Sequence, residues 1–304
     1  MNRTESGIVA GIVVAQRSIQ YTAVNHSEGR KLDRLGSCDF DFDLLESLNS
    51  GISHDEQQSL TDAVNDVLGD SGASRLNIGI HPAIGHTFFT LSPESHAEED
   101  RAKQFQDEGQ LLFDDHDAFH AASASLHHVI NESLEVQHDL YMVTLVPSSI
   151  KSVLDSVTRS IANGNVSYLP CAQGVQHLVR SVEASPDHSS AFSLLVGQYR
   201  GHVVMSMMHR GTIVHGHTVS PATAQDYLYW AIVLATRLDV SPSAIRRIYF
   251  YGDETDPLML EDLRLSTGSE LVRVDPFAYS DISVGHIRPD FDLSAYASCI
   301  GIVL

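Results

Sequence analysis

The sequence predicts a duplicated α/β architecture, and two observations carry that prediction. The first is the stretch Ala191 to Ser220, AFSLLVGQYRGHVVMSMMHRGTIVHGHTVS. It reads as three short strands, Phe192 to Val196, Val203 to Met208 and Thr212 to Thr218, joined by glycine turns at Arg200-Gly201 and Arg210-Gly211. Glycine supplies the positive φ that tight hairpin turns require. Ser220-Pro221 then offers an N-cap and a first-turn proline, opening an apolar helical run from Ala222 to Leu238. The second observation is a weaker copy of the same plan at the front. Ile8 to Val14, Gln20 to Val24 and Ser37 to Phe42 are strand-like, and a helical stretch follows from Ser53. Internal repetition of this kind sets the architecture before any local detail.

Between the two copies, Ser53 and Glu56 form a capping box for a helix to about Leu68. Arg75 to Ile80 is a strand broken by Pro82, and His86 to Leu91 resumes extended structure. Ser92-Pro93-Glu94 starts a charged helix through about Gln106, Gly109 stops it, and Leu111 to Phe113 reads as a short strand. Asp114 to Ser125 is polar and reads as an exposed loop or short helix. Leu126 to Val136 and Leu140 to Val146 form a hairpin around Gln137-His138-Asp139. Pro147-Ser148 opens a helix to about Ala162, stopped by Asn163-Gly164. A strand at Val166 to Leu169 and a helix from Ala172 to Glu183 lead to the linker-like run 185–190. Beyond the long helix come a strand at Ile248 to Tyr251, a helix from Pro257 to about Leu265 and a strand at Glu270 to Val274. The apolar Leu293 to Val303 is helical and must pack on something already built, the first half.

Of the 304 residues 43% are hydrophobic, enough for real cores and against disorder. No apolar run approaches the roughly 20 residues needed to span a bilayer, and Ile8 to Val14 is read as a strand rather than a signal peptide. Three distant cysteines, Cys38, Cys171 and Cys299, fit reduced thiols in a cytoplasm. The formal charge of −20, with lysine only at 31, 103 and 151, disfavours nucleic acid as a partner through phosphate repulsion.

The chemistry-bearing constellations are weak. Asp39, Asp41 and Asp43 begin like a calcium loop, but Leu44 stands where the turn glycine is required and Ser50 where the bidentate glutamate is. On a strand the three aspartates share the wet face and Phe40 and Phe42 point inward, which is the preferred reading. His116 and His120, beside Asp114, Asp115 and Asp117, would share a helix face, yet no third ligand has motif spacing. A solvated acidic loop is preferred there, and no metal site is expected. His127-His128 and His215/His217 read as strand residues, and Tyr227, Tyr229 and Trp230 as helix packing. There is no G-x-S-x-G, no Walker loop and no G-x-G-x-x-G.

The order and spacing of GIVVAQRSI at 11–19, LYMVTLVPSSIKSVL at 140–154, RRIYFYGDETDPLMLEDL at 246–263, Val274-Asp275-Pro276-Phe277 and AYASCIGIVL at 295–304 resemble the actin-like ATPase (ribonuclease H-like) fold. More narrowly, they resemble the PilM family of type IV pilus assembly and the cytoplasmic part of the type II secretion L proteins. The resemblance covers nearly the whole chain. It implies two duplicated α/β lobes, each on a mixed five-stranded sheet and meeting at a cleft. The first spans 1–186 with an inserted subdomain at about 75–147 and is completed by a C-terminal helix in 291–304; the second spans 187–290. The family's phosphate loops carry acids, in runs like G-I-D-I-G-S-S-S and V-D-I-G. Here Val13 replaces the first aspartate and Ala15 the glycine, and Val196-Gly197-Gln198-Tyr199 offers no carboxylate in the second loop. Ser18, Gly201, Gly252 and Asp253 remain as vestigial cleft positions.

No catalytic residue, cofactor or metal is therefore expected. The resemblance implies a cytoplasmic pseudo-ATPase scaffold, recruited to the inner membrane face by the cytoplasmic tail of a membrane protein, with a homodimer left open. A short basic peptide of that partner is expected to dock between the opening meander and the insertion, on 1–186 and not on 187–304. The alternative is a divergent actin-like ATPase or kinase with ATP and Mg²⁺, its carboxylates drawn from Asp253 and Glu254. Thirty-nine acids against nineteen bases also make long-range self-repulsion a destabilising element. Shortening the Debye length to ~3 Å at about 1 M salt should relieve it. Melting temperature is expected to rise from low to molar monovalent salt; a flat profile would mean the acids are neutralised locally.

Overall fold

The structure is a computed structural model and describes residues 7–27, 29–113, 119–131, 136–183, 191–220, 223–284 and 292–304. In chain order the first half runs β1 (Ile8–Val14), β2 (Ser18–Asn25), β3 (Lys31–Asp39), α1 (Leu44–Ser50), α2 (His54–Leu68) and β4 (Ala73–Ile80). It continues with β5 (His86–Pro93), α3 (Glu98–Phe113), β6 (Phe119–Asn131), β7 (Val136–Pro147), α4 (Ser148–Thr158), β8 (Val166–Pro170) and α5 (Cys171–Glu183). The second half holds β9 (Phe192–Tyr199), β10 (His202–His209), β11 (Thr212–Val219), α6 (Ala224–Arg237) and β12 (Ile245–Tyr251). It ends with α7 (Glu261–Thr267), β13 (Glu270–Arg273) and α8 (Ala297–Gly301).

The duplication is visible in the sheets. One has the order β3-β2-β1-β4-β8 and the other β11-β10-β9-β12-β13. In both, an antiparallel meander supplies three strands and two parallel strands follow on the far side of its first strand. A third sheet, β5-β7-β6, is interposed between β4 and α4. Because β4 pairs with β1 and β8, the residues from 73 to 80 belong to the first sheet, and the third sheet begins at His86 rather than near 75.

Alternation along the strands sorts side chains to two sides. From β1, Ala10, Ile12 and Val14 join a core with α2 and α4, whereas Val9 and Val13 face α5 and α8. From β9 and β12, Leu194, Val196, Ile248 and Phe250 pack with α6, whereas Leu195, Tyr199, Tyr249 and Tyr251 face the same α5–α8 layer. That burial on both faces explains why these strands read as continuous apolar runs. The molecule is thus layered helix, sheet, helix, sheet, helix, with α5 and α8 as the shared middle.

The middle layer is closed by glycines. A Cβ on Gly301 would lie 2.0 Å from the carbonyl oxygen of Gly174, and one on Gly174 would lie 2.5 Å from that of Ser298. The side chain of Asn77, in β4, donates to Ile302 O, and His26 contacts Val303 O at 2.9 Å, tying the C-terminal turn to the first lobe. At the other end of α5, buried Glu183 reaches into the second lobe. It accepts from the hydroxyls of Ser193 and Tyr249 and from Arg247 at 3.2 Å, and Arg247 also pairs with Glu270 at 3.1 Å. A buried pair so fully bonded fixes orientation more than it adds stability.

Several local expectations need correction. The strand read from Ser37 to Phe42 begins at Lys31 and ends at Asp39, and Asp43 leaves it to cap α1 by accepting from Glu46 N at 3.0 Å. Phe40 and Phe42 still pack on the core. Gly109 does not stop α3, nor is there a strand at 111–113; the glycine lets the helix lie on the inserted sheet, since a Cβ there would be 1.9 Å from Leu145. The residues Gln137, His138 and Asp139 lie inside β7 instead of in a turn, and 119–125 is strand rather than loop. The N-cap of α6 is Thr223, not Ser220, through a reciprocal capping box with Asp226. The linker-like run 185–190 lies outside the described residues.

The crossing of α5 and α8 gives a test. Gly301→Ala must push backbone away from backbone, an overpacking cost of about 3 kcal/mol. Thermal denaturation should show a midpoint lowered by roughly 5–10 °C; an unchanged midpoint would mean the crossing tolerates a methyl group.

Candidate functional site

The two lobes face each other through equivalent hairpin ends. In the first, β1 and β2 are joined by a tight turn in which Ala15 N–H donates to Ser18 O at 2.8 Å. Its exposed part is committed to the segment before α1: Leu44 N–H donates to Gln16 O and Phe40 N–H to Arg17 O, both at 2.7 Å. The Gln16 amide donates to Asp43 at 2.6 Å, and Arg17 to Asp41 O at 2.8 Å. Partial burial acts to raise the pKa of Asp43, but hydrogen bonds from Glu46, Gln16 and Leu45 and the positive charge of Arg200 bring it below the ordinary carboxylate value. Arg200 belongs to the β9–β10 turn, so the two hairpins sense each other electrostatically.

Aromatic rings fill the second loop. Gly197 stands where the resemblance places an acid, and a Cβ there would lie 2.7 Å from Tyr251 Cζ and 2.9 Å from Tyr199 Cε2. Tyr199, at the loop's expected glycine, is buried against Tyr251 with ring centroids 6.2 Å apart, and its hydroxyl is 3.4 Å from Ser298 Oγ. In the first loop Val13 is 3% exposed and packs on Gly79, where a Cβ would meet its methyl at 2.6 Å. Burial and the charge of Asp253 push the thiol of Cys171, in this same core, up to about 12. The buried hydroxyl of Tyr251 has no hydrogen-bond partner among the described residues.

The residues expected at the cleft are partly gathered here. Gly252 has φ +117 and presses on the Gln198 carbonyl, 2.1 Å from where its Cβ would be. Gly201, at φ +73, forms the open tip of the neighbouring hairpin, and Ser18 opens β2 beside the turn of the other lobe. Gln198 is buried and clamps the loop after β12, accepting from Asp256 N at 2.9 Å and donating to Asp256 O at 3.1 Å. Asp253 is open to solvent yet flanked by protein, and desolvation, with Glu254 beside it, raises its pKa to about 6. Tyr199, Tyr251, Gln198 and His81 were not singled out from the sequence. The signal available was a tyrosine where the family loop carries glycine.

A second feature lies where the inserted sheet meets both lobes. It is a small apolar groove of about 30 Å³ lined by Phe89 and Met142 from the insertion, Pro170 and Cys171 from the first lobe, and Val204 and His217 from the second. Phe89 packs edge-on to His215 at 5.2 Å. The lining draws on both halves, not on residues 1–186 alone. Burial first, then the charge of Arg237 and the neighbouring His215, lower His217 to about 4, and its Nε2 is buried without a partner among the described residues.

The remaining constellations stay apart. Residues 114–118 lie outside the described residues, and His120 is in β6 opposite Val146, a strand rather than the helix a His116–His120 pair requires. Among the described residues no group of three or more His, Cys, Asp or Glu side chains is placed to hold a metal ion. No described helix is long and apolar enough to cross a membrane.

No family model matches the chain, and no curated protein matches it in sequence. Solved structures do. The chain is similar to a chain of the PilM–PilN type IV pilus biogenesis complex, with TM-score 0.70, 11% identity and coverage of 99% of this chain and 98% of that one. It is also similar to a Bacteroides thetaiotaomicron protein with actin-like ATPase fold and unknown function, with TM-score 0.56, 12% identity and coverage of 91% and 95%. The protein therefore has the actin-like ATPase fold, two duplicated lobes with an inserted sheet.

His81 directly follows β4, 2% exposed, with Ala83 N–H donating to its Nδ1 at 3.1 Å and its ring 4.6 Å from that of Tyr199. Burial and then His202 lower its pKa to about 3. The unfolded chain takes up this proton near the ordinary value, so stability falls as pH drops below about 6.5 and continues to fall until about 3, by up to about 1.4 kcal/mol per pH unit. His81→Asn keeps an acceptor for Ala83 and should flatten part of that fall in urea unfolding between pH 6.5 and 4. An identical slope would show that His81 escapes burial before the protein unfolds.

Proposed function

We propose that the protein is a non-catalytic actin-like scaffold of a type IV pilus or type II secretion-like assembly, working at the inner face of the membrane and binding a peptide of a membrane partner. The observation that carries the loss of catalysis is the Tyr251 ring in the space a side chain at residue 197 would need. A magnesium nucleotide requires oxygen ligands and room for phosphates at the two hairpins; Val13, Tyr199 and Tyr251 supply apolar surface instead. The scaffold half of the proposal is supported by the likeness to a chain of a two-protein pilus complex. Peptide capture needs only shape and apolar surface, and Phe89 and Met142 supply apolar surface where the inserted sheet meets both lobes. The acidic surface favours a basic tail, acting mainly on the association rate.

Asp253 favours a second reading, a divergent ATPase with one carboxylate titrating near neutrality. The two are separated by one set of measurements on the whole chain. The purified protein should show neither Mg²⁺-ATP turnover nor thermal stabilisation by Mg²⁺-ATP. It should bind a basic peptide with spaced apolar residues, and Phe89→Glu should weaken that binding at least tenfold. Turnover that disappears in Asp253→Asn would establish the enzyme; peptide binding indifferent to Phe89 would move the partner elsewhere.

A further inference from the structure

On the outer face of the first lobe, away from the cleft and its groove, α4 and β8 border an open pocket. It has a volume of about 370 Å³ and is lined by Lys151, Asp155, Arg159, Gly164, Val166 and Tyr168. None of these residues lines the apolar groove. Its chemistry is unusual for this molecule, which carries a formal charge of −20 and three lysines in all. Here two cations stand against one carboxylate, leaving a local excess of one positive charge.

The arrangement is built rather than scattered. Lys151 and Asp155 are one helical turn apart and pair at 2.5 Å. The other oxygen of Asp155 accepts from the Tyr168 hydroxyl at 2.5 Å, which holds the carboxylate against the wall. The Lys151 ammonium also lies 5.3 Å from the Tyr168 ring centroid. Those contacts fix both ends of Asp155 and leave the second cation over. Arg159 follows α4 directly, is exposed, and has no ion-pair or hydrogen-bond partner among the described residues. The turn at 162–164, with φ of +53, +51 and +79, forms the facing rim.

We propose that this pocket binds a singly charged carboxylate bearing an apolar group. The planar guanidinium of Arg159 matches a carboxylate through two parallel N–H···O bonds. Lys151 contributes a second, partly shared charge, and Val166 with the Tyr168 ring gives the apolar wall. Charge balance selects the ligand: one net positive charge suits a monoanion, whereas a phosphate dianion would bring its second charge against Asp155 and the acidic surface around it. The carboxylate could be a free small acid or the chain end of a bound protein, and the two sources are separable by experiment.

Ligand-observed NMR titration of the full chain at low ionic strength provides the test, with butyrate and inorganic phosphate as probes. Butyrate should bind in preference to phosphate, and Arg159→Gln, at an exposed position that the fold does not use, should weaken butyrate at least fivefold. Asp155→Asn keeps an acceptor for Tyr168 but removes the competing charge, and should shift preference toward phosphate by at least fivefold. A peptide with a free C-terminal leucine and its amidated twin identify the source. A tenfold advantage of the free-acid peptide over butyrate, lost on amidation, assigns a protein chain end; equal affinities assign a small acid. Absence of butyrate binding, or binding unchanged in Arg159→Gln, would overturn the proposal while leaving the scaffold function untouched.

Discussion

The close passage of α5 over α8 is the contact through which each lobe is held to the other. Gly174 and Gly301 let the helix backbones meet where any side chain would collide. The approach brings the inner faces of both sheets onto one shared core, so that Val9 and Val13 from one lobe and Leu195, Tyr199, Tyr249 and Tyr251 from the other pack around the same helices. Side-chain interiors behave as close-packed solids, not as fluid. A pair of helices spaced by glycine therefore sets the separation of the sheets to within a methyl group. Glu183 sets their relative rotation from the far end of α5, because its three donors lie on the second lobe.

The same packing bears on the cleft. A nucleotide-binding cleft of this fold needs open hairpin ends and space above the middle layer. In this chain the hairpin of the first lobe spends its carbonyls on the segment leading into α1. The inner face of the second lobe places Tyr199 and Tyr251 where small residues would leave room. Val13 and Gly197, beside Tyr199 and Tyr251, make this region part of the shared core. What remains polar at its edge is Asp253, whose desolvation, with Glu254 beside it, raises its pKa. The inserted sheet creates new concave surface by leaning on β11 through Phe89 and His215.

How far the chain could be read residue by residue depended on how local the cause was. The capping box of Ser53 and Glu56 and the paired positive φ of Arg210 and Gly211 depend on neighbours in sequence, and both are found where expected. Gly109 misled because its small size serves the packing of α3 on Leu145, a partner 36 positions away, and not a helix end. The strand β3 begins in the charged run Lys31 to Arg34, where the alternating pattern is hidden by side chains that stand at the sheet edge. The pocket of Arg159 was illegible, since α4 and β8 meet only when the first sheet is assembled.

By itself the sequence determined the duplicated meander-and-helix plan, because periodicity and residue identity are local properties; the inserted part and the absence of acids at both loops were implied by the family resemblance. Tertiary structure alone decided what took the place of those acids. Whether a missing aspartate leaves a vacant pocket or a filled one depends on which ring arrives from β12, half a hundred residues further along the chain. Pairing of β12 with β9 sets Tyr251 opposite Gly197, and the meeting of α4 with β8 forms the pocket beside Arg159.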